Sequence, residues 1–339
     1  MTATTALLAL LGLERLAAAD PMSTSPEQAY DLGQMPNAQT LGMGGAGDAL
    51  GVSTAALTLN PANMAMARVY HADAFAAFSP QAQRQTYGLA AVDSVLNSRS
   101  IAGGIAGTWS QFDPGSTKRT WTDLRAAIAF PLLGFLSLGA TLRWLRVDQA
   151  TSSGPFGPSY ASDGNSNGPV FNNITIDAGA SAALGDSFRV GLSGHNLTNP
   201  GTALAPTTMS GGLGFCSPEC PHLDGRPAEP PVIIVEGDGL LDFTSYASTR
   251  GRLMGGGTLL IGNRFEVRGG WRYDTGTKLN SPSLGFGYVD PSWSVELSVR
   301  HDLTSDHAMT YGVLQLRYAY DPFGSGGGSQ GMDQPDMLQ

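Results

Sequence analysis

The two cysteines, Cys216 and Cys220 in the run CSPEC, are the only thiols among 339 residues, and their spacing allows two kinds of chemistry. In an exported chain such a pair closes as a local disulfide. A metal site built on them needs further ligands, and only His222 and Asp224 stand nearby. Asp163-Gly164-Asn165-Ser166-Asn167-Gly168 repeats the first half of a calcium loop, but its twelfth position is Ile174 where the loop needs a bidentate Glu, so a polar surface loop is expected. His195, His301 and His307 are suited to acid–base work. No serine lies in a nucleophile elbow, however, and Ser193 shares its strand with His195. The expectation is a non-enzyme with no metal site and no cofactor.

The remaining ionisable residues are arranged by strands. Arg264 to Asp274 alternates Phe265, Val267, Gly269, Trp271 and Tyr273 with Arg264, Glu266, Arg268, Gly270, Arg272 and Asp274. Trp293 to Asp302 and Leu136 to Trp144 repeat the pattern, and ionic residues hold one face along nearly the whole length. If such strands cross a bilayer, Arg143, Arg268 and Arg300 must point inward, since an Arg facing lipid at mid-depth costs roughly 2–4 kcal/mol. The candidate lumen charge network is Arg125, Arg143, Glu266, Arg268, Glu296 and Arg300.

Fourteen strands are predicted, near 69–80, 84–95, 100–112, 118–131, 135–149, 173–184, 187–197, 206–215, 231–243, 249–262, 264–275, 281–290, 292–303 and 308–321. An even count places both termini on one side, the periplasmic one in a bacterial outer membrane. Short connections (Pro131 to Phe135, Leu184 to Ser187, Ile261 to Arg264, Asp290 to Ser292) fall on that side, and longer polar ones (Phe112 to Thr120, Ala150 to Asn173, Leu197 to Thr208, Asp274 to Pro282) on the other. Trp109, Trp121, Trp144, Trp271, Tyr273 and Trp293 lie near strand ends, where interfacial aromatic girdles are expected. The CSPEC run opens an insertion, Cys216 to Pro231, on the short-turn side.

Composition agrees with an all-β transmembrane barrel. With 45 Gly, 42% hydrophobic and 14% charged residues, the chain is neither disordered nor collagen-like. No apolar run reaches the eighteen or so residues of a spanning helix, which leaves a closed barrel as the way to cross a membrane. A net charge of -9 excludes a nucleic-acid partner. Residues 1–19 read as a signal peptide, with an apolar stretch Ala6 to Leu13 and Ala17-Ala18-Ala19 before Asp20. No basic residue precedes that stretch and Glu14-Arg15 interrupts its end, so an amphipathic N-terminal helix stays open as the alternative. Residues 323–339 form a flexible Gly/Ser-rich tail, and 69–322 the barrel.

Between signal and barrel, residues 20–68 carry the densest small-residue run, AQTLGMGGAGDALGVSTAALTLNPANMAMA from Ala38 to Ala67. Gly42, Gly44, Gly45 and Gly47 remove side chains where backbone must turn or approach closely, and Asn60-Pro61-Ala62 ends the run with a fixed turn. The pairing of "LGMGGA" with a following "NPA" resembles the N-terminal signature of the FadL and PorV outer-membrane barrel families. Val190 to Asn196 with Leu197, Pro206, Gly211, Gly212 and Gly214, then Phe265 to Tyr273 and Leu284 to Tyr288, resemble later strands of the PorV-type barrels. This sequence departs at Gly51-Val52-Ser53, where an acidic pair often stands, and at Asn63, where Gly is usual.

The resemblance implies a plug formed by residues 20–68 inside the barrel and a conduit for hydrophobic small molecules such as long-chain fatty acids. Leu41, Met43, Leu57 and Met64 are then the candidate ligand-lining residues. The alternative it implies is a barrel that binds exported or periplasmic proteins. An apolar pocket beside the plug favours the first, and a lumen packed with charge pairs the second.

Overall fold

Period-2 alternation with a continuous apolar face has one stable outcome in lipid, a sheet that closes on itself. The computed structural model describes residues 37–66, 70–81, 84–94, 101–112, 117–151, 167–202, 204–222, 231–246, 248–290, 292–303 and 309–320. Among them, fourteen antiparallel strands form a closed barrel in chain order, with β1 pairing β14. The strands are β1 (Tyr70–Ser79), β2 (Arg84–Asp93), β3 (Ala102–Phe112), β4 (Thr117–Leu133), β5 (Leu136–Thr151), β6 (Asn167–Leu184), β7 (Phe188–His195), β8 (Thr208–Ser217), β9 (Ile233–Asp242), β10 (Arg250–Ile261), β11 (Phe265–Asp274), β12 (Leu279–Asp290), β13 (Trp293–His301) and β14 (Thr310–Tyr320). No helix among the described residues is long and apolar enough to span a membrane. The signal peptide, residues 20–36, the tail, Asp224, His307 and Asp163 to Ser166 lie outside the described residues.

The outer face is apolar: Leu89, Ile105, Leu192, Leu284 and Phe286 are each more than half exposed. Aromatic pairs mark both rims. Phe265, Tyr288 and Trp293 pack edge-on and tilted at the end where β1 begins and β14 finishes, here the terminal end. At the far end Phe78, Tyr87 and Trp109 form one set and Trp271 and Tyr273 another. Such belts suit the two headgroup levels of a bilayer.

Two expectations need correction. Trp121 is not in a girdle; it points inward, 2% exposed, against Leu145, Val147 and Ala205. Its alternation partners Asp123 and Arg125 are buried on the same face and fix it. Three of the four long far-side connections also shorten, the one between β7 and β8 excepted. β4, β5 and β6 run for 17, 16 and 18 residues, well beyond the nine to eleven of a membrane span. β6 begins at Asn167, not 173, and Asn167 of the half-calcium loop is a ladder residue opposite Ala150. Asn- and Gly-rich residues have poor strand propensity, but an extended β5 supplies a hydrogen-bonding edge that overrides it. β4 likewise begins at Thr117 and β12 at Leu279, ahead of the predicted 118 and 281.

Inside the barrel lies the N-terminal segment 37–66. Helix α1 (Ala38–Gly42) is capped by Asn37, whose Oδ1 accepts from Gln39 and Thr40 backbone N–H groups. Two 3-10 turns follow, Ser53–Leu57 and Pro61–Met66. The segment crosses the lumen from β13 and β14, where Ser298 donates to Ala38 O and Ala38 N to Gln315 Oε1, to β5, where Ser137 donates to Ala62 O.

Candidate functional site

The contact between this lumenal segment and its wall is built on missing side chains. Three cross-strand glycine pairs face it: Gly139 with Gly179, Gly191 with Gly212 and Gly256 with Gly270. A Cβ at Gly139 would lie 2.5 Å from Ala62 N, one at Gly191 2.0 Å from Asp48 O, and one at Gly270 2.2 Å from Gly44 N. The wall is therefore notched at three places, and segment backbone enters each notch. Gly44 answers from the other side, with a positive φ of 74° and the Trp271 backbone where its Cβ would be.

Backbone brought this close must find hydrogen-bond partners. Residues 47–50 present four consecutive N–H groups, and two carboxylates on β9 take all of them. Asp238 Oδ2 accepts from Gly47 N at 2.7 Å and Asp48 N at 2.9 Å; Glu236 Oε1 accepts from Ala49 N at 2.6 Å and Leu50 N at 3.2 Å. Glu236 and Asp238 are two residues apart, so one strand face presents both. Asp48 itself accepts from Ser193 Oγ at 2.9 Å. Burial pushes the Asp48 carboxyl pKa up, against the opposing pull of His195 and the Ser210 and Ser193 hydroxyls.

Asn60 closes the segment on itself and on the wall. Its Nδ2 donates to Asp48 O, Ala180 O and Ser181 Oγ, while its Oδ1 accepts from Ala62 N. Pro61 and Ala62 then fit the Gly139 and Gly179 notch. Asn63, the departure from the family pattern, donates to Asp48 O and accepts from Ser181 Oγ, a role a glycine cannot fill.

The six charge-network candidates fall into separate groups. Arg125 and Arg143 share Asp123 at 3.0 and 2.9 Å, with Asp177 3.8 Å from Arg125 and 3.5 Å from His195. Across the lumen Arg268 bridges Glu266 and Glu296, and Arg317 joins Glu296 to Asp73. Arg300 stands apart, 3.9 Å from Asp302. Asp123, Asp177, Asp73, Arg317, Glu236 and Asp238 were not singled out from sequence, yet each sits on a polar alternation face where a complete listing would have found it. Arg125 also donates to Leu57 O, linking the first group to the segment. Asp123→Asn should lower barrel stability by about 3 kcal/mol, the low end for a broken buried pair because Asp177 still faces Arg125. The check is the urea midpoint of the heat-modifiable gel shift; an unchanged midpoint refutes the assignment.

The ligand-lining candidates all touch the wall. Leu57 and Met64 pack with Phe75, Ala90 and Val92, Leu41 with Ala77 and Val313, and Met43 against Thr258. Their exposures of 1, 0, 7 and 2% leave no open surface on them in this state. Cys216 and Cys220 are disulfide-bonded and pack against Ala49 and Leu50 at the terminal end. Arg189, 1% exposed, holds that loop down by donating to the carbonyls of Gly185, Phe188, Cys220 and Pro221. No group of three or more ligating side chains suited to a metal occurs among the described residues.

Solved structures share this arrangement of strands. The chain is similar to the Ralstonia pickettii toluene transporter TbuX, with a TM-score of 0.58 and 12% identity over 86% of this chain and 100% of that one. The fold is that of the FadL-type barrels. A Pseudomonas aeruginosa FadL homologue matches with a TM-score of 0.55 and 16% identity over 85% of this chain and 99% of its own, and the monoaromatic hydrocarbon channel CymD with 0.55 and 14% over 83% and 96%. No family model and no curated protein sequence matches the chain. The likeness agrees with the FadL side of the resemblance drawn from residues 38–62.

Proposed function

We propose that this FadL-type barrel is an outer-membrane channel for hydrophobic small molecules, with residues 37–66 as a plug that gates it and both termini in the periplasm. The observation that carries the reading is the latch of Glu236 and Asp238 on four consecutive segment amides. It fastens a small-residue strip across a lumen too wide for side chains alone to fill. The structural neighbours named as toluene and monoaromatic hydrocarbon channels support the ligand class. Because Leu41, Met43, Leu57 and Met64 are covered by wall contacts, passage requires the plug to shift and uncover them.

The charge pairs that fill the lumen beside the plug favour a second reading, a barrel that docks exported or periplasmic proteins; the disulfide-fastened loop at the terminal end supplies its surface. Purified protein in liposomes should take up toluene or a long-chain fatty acid several-fold faster than empty liposomes. No uptake or binding of either, together with co-purification of an exported protein, rejects the channel in favour of docking. Recovery in the soluble periplasm, with no heat-dependent gel shift, rejects both.

A further inference from the structure

β4, β5 and β6 continue past the far aromatic belt, and their outward side chains change character there. Trp121, Asp123, Leu145 and Val147 are buried toward the lumen, so Thr122, Arg146 and Asp148 alternate outward. In the ladder Arg146 pairs with Thr122 on one side and Asn172 on the other, which sets the three in one row with Trp109 of β3 at its edge. Asp148 accepts from Nε and Nη2 of Arg146 at 2.8 and 2.9 Å, which leaves Nη1 for another acceptor. Below the row the same outward face is apolar and hollowed. Ala126, Ile128, Ala140, Leu142 and Ile176 line a recess of about 400 Å³, where the two alanines stand between larger side chains. Ala126, Leu142 and Ile176 form their own row four residues below the first, ~13 Å away at ~3.3 Å per residue.

We propose that this face binds a phosphorylated glycolipid of the outer leaflet, with its headgroup on the Thr122, Arg146 and Asn172 row and one acyl chain in the recess. The recess is continuous with the lipid-facing belt, so an acyl chain is what covers it. Within a bilayer such a hollow gains only van der Waals fit, and the headgroup must supply the preference. The Arg146 guanidinium takes a phosphate oxygen through charge-assisted hydrogen bonds. Asp148, the Thr122 hydroxyl and the Asn172 amide match the hydroxyl and amide groups of a sugar, whereas a simple diacylglycerol phosphate brings no donor to the carboxylate. The overshoot of β4, β5 and β6 beyond a membrane span sets this row where a sugar headgroup stands above the hydrocarbon. The site rests on the orientation proposed above, with the far end outside the cell, and not on transport.

Lipid A and phosphatidic acid separate the sugar from the phosphate and the chains. Added to lipid-free protein in detergent and counted by native mass spectrometry, lipid A should bind Arg146→Gln about 10-fold more weakly than the unaltered chain, with part of the loss recovered by Arg146→Lys. Ala140→Phe fills the recess without altering the row and should weaken lipid A about threefold. Phosphatidic acid should bind the unaltered chain about 10-fold more weakly than lipid A does. Equal lipid A affinity for the unaltered chain and Arg146→Gln, no effect of Ala140→Phe, or no preference over phosphatidic acid each overturns the glycolipid site. An epitope inserted after Gly201, in the far-side connection between β7 and β8, reads the orientation separately. Antibody binding to intact cells is expected. Binding only after permeabilisation overturns the orientation and the outer-leaflet site with it; binding to intact cells without the lipid A preference overturns the site alone.

Discussion

Replacing Glu236 and Asp238 together by alanine should turn this barrel into an open pore. The two carboxylates are the acceptors for the backbone N–H groups of residues 47, 48, 49 and 50, which lie buried in the lumen. Each buried donor left without an acceptor costs about 1–3 kcal/mol, so the seated segment loses on the order of 4 kcal/mol even at the lower bound. The strand pairs of β9 with β8 and β10 do not involve these side chains, so the barrel should still close. Liposomes carrying the double alanine variant should swell in small neutral sugars, while those carrying the unaltered protein should not. The Glu236→Gln, Asp238→Asn pair keeps a carbonyl oxygen at both positions and should leave the segment seated. Swelling equal for both double variants would mean that charge, not acceptor number, holds the segment. No swelling in either would remove the latch from the gating account.

The barrel was legible because strand alternation is a local signal. Every β-strand from Tyr70 to Tyr320 has its counterpart in the periodicity, and inward Arg125, Arg143 and Arg268 follow from the cost of charge in lipid. What failed was tied to partners distant in sequence. The stretch from Asn167 to Asn172, broken by Gly168 and Pro169, gives no clear strand signal of its own and becomes part of β6 where β5 continues beside it. Trp121 reads as interfacial by residue type and is placed inside by Asp123 and Arg125 on its own face. In the site, Asn60 and Pro61 were evident as a motif, but what they meet was not. Gly139 and Gly179 come from different strands, and only their pairing makes a notch. The grouping of the charges depends in the same way on Asp123, Asp73 and Arg317 meeting residues as many as 244 positions away.

Gly179→Val tests whether that notch holds the Asn60-Pro61-Ala62 turn in place. A Cβ at this position would stand 2.0 Å from Asn60 Oδ1 and 3.0 Å from Pro61 Cδ, far inside contact distance. Something must move, and the wall is the stiffer party, because Gly179 is paired with Gly139 on one side and Ser193 on the other. Valine also favours strand backbone, so the barrel itself has no reason to fail. The turn therefore yields. Overpacking costs about 1–3 kcal/mol, and withdrawal of Asn60 from Ala180 O and Ser181 Oγ adds about 1 kcal/mol for each bond. The expected result is a folded, heat-modifiable barrel whose liposomes swell in sugar. Gly269→Val is the matched control, since a Cβ at Gly269 meets nothing within 4 Å. It should fold equally well and stay closed. Equal behaviour of the two variants would show that the turn rests against the wall without depending on the notch, and would leave the segment to its other wall contacts, the β9 latch among them.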